Sequence, residues 1–168
     1  MIKLKHILFC FVVLQLNAQS LKLNEVRDLY KDAAQNKTKV AAFYELLSGV
    51  EQKDGVVLYA YKCAAVALKA RHAKTIKGKK EGFKKGATNL ETLIAEHPNK
   101  VEPRFIRLSI QENAPKILRY KSKIDEDKMF ILKQYSNIKS KSLQKHIKDY
   151  ILQSKSFNDK EKALILGS

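Results

Sequence analysis

Cysteine is nearly absent from this chain: only Cys10 and Cys63 occur in 168 residues, and the first lies inside an N-terminal apolar run. Loss of that run on export would leave one thiol, which excludes an intramolecular disulfide, so the fold must rest on its apolar core. Cys63 stands in Tyr-Lys-Cys-Ala-Ala-Val-Ala, a setting that predicts a buried thiol acting as a small hydrophobe. Proline and glycine are thin as well, three and six residues, and no Asn-Gly or Asp-Gly joins alternating apolar segments. Asp54-Gly55 has no such flanks, so hairpins and sheet find no support. The longest apolar run, Ile7 to Leu16, is about half of the roughly 20 residues that a membrane-spanning helix needs. A permanent transmembrane anchor is therefore not expected.

Sites for familiar chemistry are missing too. The four histidines, His6, His72, His97 and His146, are widely separated and never stand at the i, i+4 spacing of a zinc helix, so no metal is expected. Nucleophile-elbow glycines surround none of Ser20, Ser48, Ser109 and Ser136. Gly78-Lys79-Lys80-Glu81-Gly82 lacks a preceding strand and the spacing of a phosphate-cradling loop, so no nucleotide and no other cofactor is implied. Glu91 and Glu112 could in principle form a carboxylate pair for glycoside cleavage, but nothing in their context marks them.

What is present begins with a leader. Lys3 and Lys5 precede the apolar run, and Asn17, Ala18, Gln19 and Ser20 follow it, the layout of a secretory signal peptide over residues 1–19. The ending Asn-Ala-Gln-Ser resembles export signals of Bacteroidota, which implies release into the periplasm or beyond after cleavage near Gln19. Cys10 sits within the run directly behind Phe9, the wrong place for a lipoprotein cysteine. Cleavage there leaves 149 of the 168 residues, one ordinary domain spanning 20–168.

Positive charge is the largest compositional bias. The formal net charge is +16, and removing Lys3 and Lys5 with the leader lowers it only to +14. Such an excess draws polyanions. Outside the cytoplasm these are lipid headgroups or acidic glycans of the envelope, rather than nucleic acid.

Apolar residues recur at helical spacing from residue 21 onward, which predicts an all-α chain. Val26, Leu29, Tyr30 and Ala33 mark a helix over about 22–35, with Asn24 as a candidate cap. Val40, Phe43, Tyr44 and Leu47 mark a second over about 38–51, pairing with the first. A third, about 56–73, is apolar nearly all round and rich in alanine, as expected for the middle of a bundle. Phe83, Ala87, Leu90, Leu93 and Ile94 give a fourth over about 80–97, ended by His97-Pro98. Val101, Phe105, Leu108 and Glu112 share one face of a fifth, about 101–113, with Asn113 as a left-handed cap and a short segment from Pro115 to Tyr120 after it. Asp125 is the expected cap of a helix carrying Met129, Ile131, Leu132 and Tyr135. Ser142 starts another, and Asn158 with Glu161 reads as a capping box for a last short helix.

The passage IAEHPNKVEPRFIRLS, Ile94 to Ser109, resembles the junction between tetratricopeptide repeats: a helix ending at proline, a polar turn, then a helix opening on an aromatic residue and a leucine. Phe105 and Leu108 fall one position late against that pattern. The resemblance implies antiparallel helix pairs stacked as a solenoid or a compact bundle. The longer passage Arg104 to Tyr135 is similar to a group of small exported helical proteins of Bacteroidota, which implies export and a helical fold and carries no activity.

Two groups of residues could bind something. Lys69, Arg71, Lys74, Lys77, Lys79, Lys80, Lys84 and Lys85 place eight cations within seventeen residues, a candidate patch for anionic lipid or acidic polysaccharide; the plainer expectation is a solvated loop. Arg104, Arg107 and Gln111 share a helical face at i, i+3 and i+7, and the break at Asn113-Ala114-Pro115 could return Arg119 and Tyr120 toward it. With Glu112 and Asn113 these could form a pocket for a carboxylate or phosphate, although ordinary hydrogen bonds would also account for them, and an arginine is the expected partner of Glu112. The functional expectation is an exported, non-enzymatic helical module that binds an anionic partner or another protein through a basic surface. The alternative is a small exported hydrolase acting on a cell-envelope substrate, with Glu112, Arg104 and Arg107 lining its pocket.

Overall fold

A computed structural model describes residues 21–167, so the expected leader and its cleavage near Gln19 lie outside the described residues. Among the described residues the chain forms eight α-helices and three short 3-10 turns, with no strand. The helices are α1 (Leu23–Gln35), α2 (Lys37–Leu46), α3 (Val56–Ala70), α4 (Ile76–Glu96), α5 (Val101–Asn113), α6 (Ile124–Gln134), α7 (Lys141–Gln153) and α8 (Asp159–Leu166). The all-α expectation holds. In an open stack of repeats each unit touches only its neighbours. Here α1 also touches α7, joined by a 2.7 Å hydrogen bond from Ser142 to Asn24, so the chain closes on itself as a compact bundle.

The expected centrality of α3 is realised. It packs against α1, α2, α4 and α5, and Ala60, Tyr61, Cys63, Ala64, Ala65, Ala67, Leu68 and Ala70 are all buried. Small side chains let α4 approach closely. A Cβ on Gly86 would lie 2.6 Å from the Cys63 carbonyl oxygen and 2.9 Å from the Ala67 nitrogen. The chain enters α3 through Gly55 at φ 119°, a conformation that favours a residue without Cβ.

Helix α5 is a second buried helix. Nine of its residues, Glu102, Pro103, Phe105, Ile106, Arg107, Leu108, Ser109, Ile110 and Gln111, are buried, because its polar side chains are covered by partners on α1, α3 and α6. Leu90, Ile106, Leu108, Ile147 and Ile151 are fully buried around these two helices, each contributing on the order of 1.5–3 kcal/mol of apolar transfer.

Several local expectations are corrected. Asn24 is not a cap: Lys22 holds that position without a side-chain bond, and Asn24 accepts hydrogen bonds from Arg27 and Ser142 instead. Lys123, not Asp125, precedes α6. Asn113 stays helical and donates to the Ser109 carbonyl, while the left-handed residue is Arg119 at φ 49°. Met129 faces outward, 60% exposed, whereas Ile131 and Tyr135 are buried as expected. Helix α4 begins four residues earlier than its apolar pattern, since the Thr75 hydroxyl accepts from the Gly78 N–H and caps it at Ile76. The capping box of α8 forms as read: Asn158 and Glu161 each accept from the other's backbone N–H at 3.0 and 2.9 Å.

Candidate functional site

The early start of α4 changes the character of the basic cluster. Lys77 and Lys79 join Lys80, Lys84 and Lys85 on the first turns of the helix, and only the link from Arg71 to Thr75 is non-helical. All eight cations from Lys69 to Lys85 are exposed. Among the described residues two of them have a carboxylate within 4.0 Å: Lys69 with Glu45 at 3.6 Å and Lys77 with Glu81 at 3.9 Å. Burial lowers the pKa of the His72 imidazole, and the charges of Lys37, Arg71 and Lys79 lower it further.

Helical periodicity then distributes the cluster over two faces. Lys79 and Lys80, with Ile76 and Phe83 at i, i+3, i+4 and i+7, look into a cavity of about 800 Å³ whose wall also includes Arg71. Lys69 and Lys85 line a second, shallower depression of about 570 Å³, where the Lys69 ammonium stands 3.4 Å from the centre of the Tyr44 ring, a cation–π contact.

The larger cavity is walled by six segments: α1, the end of α3, the start of α4, the end of α5, the 3-10 turn at Lys116–Leu118, and α7. Its lining is mostly apolar, with Leu68, Phe83, Phe105, Ile110, Ala114 and Leu118. Exposed Ile76 and Ile117, 75% and 74% accessible, stand on its margin. The polar groups on the wall are largely satisfied within the protein. Tyr30 and Ser109 share a short hydroxyl–hydroxyl bond, and burial pushes the Tyr30 phenol up to about 12 against the opposing influence of Ser109 and Arg71. Glu112 is bound by the Tyr150 and Ser154 hydroxyls and by the Lys155 N–H at 2.8 Å. Burial alone would raise its pKa, but these donors hold it below the ordinary range. The arginine expected beside Glu112 is thus replaced by hydroxyls of α7 and the segment after it. His146 lies edge-on to Phe105 at 5.2 Å, and its Nε2 is buried without a hydrogen-bond partner.

The second sequence-predicted group divides. Glu112 and Asn113 reach the larger cavity; Arg104, Arg107, Gln111, Arg119 and Tyr120 do not line it. Arg107 forms a two-pronged pair with the fully buried Asp127, at 2.6 Å on each prong, and bonds Glu91 at 2.5 Å. Burial opposes the Arg107 charge, yet Asp127 and Glu91 outweigh it and its pKa is raised. Asp127 is shifted upward by burial despite both arginines. Arg104 pairs with Glu126 at 2.9 Å and Asp127 at 3.2 Å, and Tyr120 donates to Glu91 at 2.6 Å. Gln111 accepts from the Lys123 N–H at 3.1 Å and leaves its Nε2 unpaired. Arg119 is exposed. These two arginines hold α4, α5 and α6 together rather than meeting Glu112 at a cavity, which separates the residues of the expected hydrolase pocket.

Sequence reasoning missed a second buried pair. Arg27 of α1 meets Glu102 of α5, and Glu102 also accepts from the Tyr61 hydroxyl at 2.8 Å. Its only signal was an arginine beside Val26 and an acid beside Val101, each at the edge of an apolar stripe. Among the described residues no three His, Cys, Asp or Glu side chains are placed to hold a metal ion, and no helix is long and apolar enough to cross a membrane. Comparison of the chain with protein families, characterised proteins and solved structures finds no match.

Proposed function

We propose that this chain is an exported, non-enzymatic helical module that binds an anionic component of the cell envelope through the basic surface at the α3–α4 turn. The observation that carries this reading is the state of the cluster from Lys69 to Lys85: eight exposed cations, of which two have a carboxylate within ion-pair distance among the described residues. In the α5–α6 network, by contrast, arginines are matched to acids, so charge left unmatched on α4 is available to a partner. Each cation held near an anionic surface contributes on the order of 1 kcal/mol. Several of them on one face, Arg71, Lys79 and Lys80 among them, support reversible docking, and screening by salt should release it.

The test is retention on heparin and on vesicles containing anionic lipid as salt is raised. Late elution with a steep salt dependence is expected, and Lys79→Glu with Lys80→Glu and Lys84→Glu should move release to lower salt. Passage through both matrices at low ionic strength would remove the proposal.

A further inference from the structure

We infer that the cavity between α1, the start of α4, the end of α5 and α7 binds one single-chain anionic amphiphile, with its hydrocarbon tail inside and its acidic head on Arg71, Lys79 and Lys80. This inference rests on the proposed envelope-binding role and gives it a ligand and a place.

Three observations carry it. The volume, about 800 Å³, lies within the roughly 300–1,000 Å³ of sites that enclose small molecules. Six segments wall the space, making a basin rather than the long open furrow that a partner helix about 10 Å wide would need. The interior asks for an apolar occupant. Leu68, Phe83, Ile110 and Leu118 are among its lining, while the hydroxyls of Tyr30, Ser109 and Tyr150 and the carboxylate of Glu112 already bond one another or their neighbours. A tail therefore strands none of these four groups; His146 Nε2, which has no protein partner, is the exception on this wall.

Charge at the rim decides the head. Lys31, Arg71, Lys79, Lys80 and Lys155 are all cavity residues. The acids there are Glu112, bound by hydroxyls, and Asp149, paired with Lys145 at 2.7 Å. A cationic or neutral head would gain nothing from this rim, and the chain's own apolar leader, which carries Lys3 and Lys5 and no acid, has the wrong sign to occupy it. The head is a carboxylate or a phosphate monoester, since arginine and lysine serve both.

Calorimetric titration of the purified chain with tetradecanoate and with tetradecyl phosphate, each below its micelle concentration, tests this. Saturable uptake of one molecule per chain is expected for at least one of them; comparing the two identifies the preferred head. Acetate and tetradecyltrimethylammonium should bind at least about tenfold more weakly, since each lacks one of the two required features. Ile76→Glu with Ile117→Glu, two exposed positions that should leave folding intact by circular dichroism, should weaken tetradecanoate about tenfold, and so should Lys79→Glu with Lys80→Glu. Equal binding of the cationic amphiphile, indifference to both double variants, or no saturation by either acid overturns the inference. Uptake of an acidic amphipathic peptide without either lipid acid overturns it in favour of a protein partner. Retention on heparin together with failure of the lipid acids removes this inference alone, whereas loss of both removes the envelope-binding reading as well.

Discussion

Arg27 and Glu102, 75 residues apart in the chain, meet in a two-pronged ion pair with Nε–Oε1 at 2.7 Å and Nη2–Oε2 at 2.9 Å. Both side chains are almost wholly buried, 7% and 4% exposed. Asn24 and Ser142 take the remaining arginine Nη1 donors at 3.0 and 2.9 Å, and Tyr61 donates to the carboxylate. One constellation therefore ties α1, α3, α5 and α7 together.

Breaking such a pair from one side leaves a charge buried without its counter-ion, which costs about 3–5 kcal/mol, whereas replacing both partners with apolar side chains is close to neutral. Arg27→Met and Glu102→Leu should each lower the urea midpoint strongly. The double substitution combined with Tyr61→Phe, which removes the hydroxyl that would otherwise be orphaned, should recover most of the loss. Additive losses across the series would mean that the pair stabilises by packing or position and not by mutual neutralisation.

Close approach of α3 and α4 makes a second prediction. Alanine is the better helix former by about 1 kcal/mol, so Gly86→Ala would stabilise if space allowed. Its Cβ would instead meet backbone atoms of Cys63 and Ala67 at 2.6 and 2.9 Å, and backbone cannot step aside cheaply. A net destabilisation of about 2 kcal/mol is expected. Gly49→Ala, with nothing within 4 Å of the added carbon, should stay within about 0.5 kcal/mol of the parent in thermal melts. Comparable melting temperatures for the two variants would contradict a tight α3–α4 seam.

These features differ in how far the amino-acid order alone discloses them. Some local ones were legible: the Asn158–Glu161 box needs only residues three apart, and the alanine-rich, apolar surround of α3 declared its central place, whereas Asn24 and Asp125 have the chemistry of caps and are not used as such. The burial of α5 was not legible, because Arg104, Arg107 and Gln111 at i, i+3 and i+7 have the spacing of a wet face until Glu126 and Asp127 of α6 are set against them. Gly78 among lysines read as part of the link before α4, yet it is helical, and Gly82 lies against Ala70, where a Cβ would come within 2.8 Å. Of the candidate site, Arg71, Lys79 and Lys80 were picked out in one group and Glu112 and Asn113 in another. Their shared cavity depends on walls from α1 and α7, which no spacing within one helix can reveal.

Cys63 offers a chemical check on the core. It is 1% exposed, and burial pushes its thiol up to about 12, with only partial opposition from the nearby backbone and Lys62. Since the thiolate is the reactive species, iodoacetamide at pH 8 should leave Cys63 unmodified in the folded chain and label it readily in denaturant, as read by peptide mass mapping. Fast labelling without denaturant would show that α3 is not held as tightly as its packing implies.

Glu112 supplies the pH dependence. Its pKa lies below the ordinary 4.5 because Tyr150, Ser154 and backbone N–H groups of Lys155 and Ser156 overcome the cost of burial. The unfolded chain thus takes up a proton at higher pH than the folded one, so the stabilisation is complete above pH 4.5 and is lost as pH falls through the folded value. Glu126, held down to about 2 by Lys123 and Arg104, acts in the same direction, but its side chain is 45% exposed and solvent screening weakens it. Glu112→Gln should cost about 1–2 kcal/mol at pH 7 through weakened hydrogen bonds and flatten the fall in stability below pH 4.5. Denaturant midpoints measured from pH 7 to pH 3 for both proteins would decide it: parallel curves would mean that the Tyr150–Ser154–Glu112 cluster does not hold the carboxylate in its charged form.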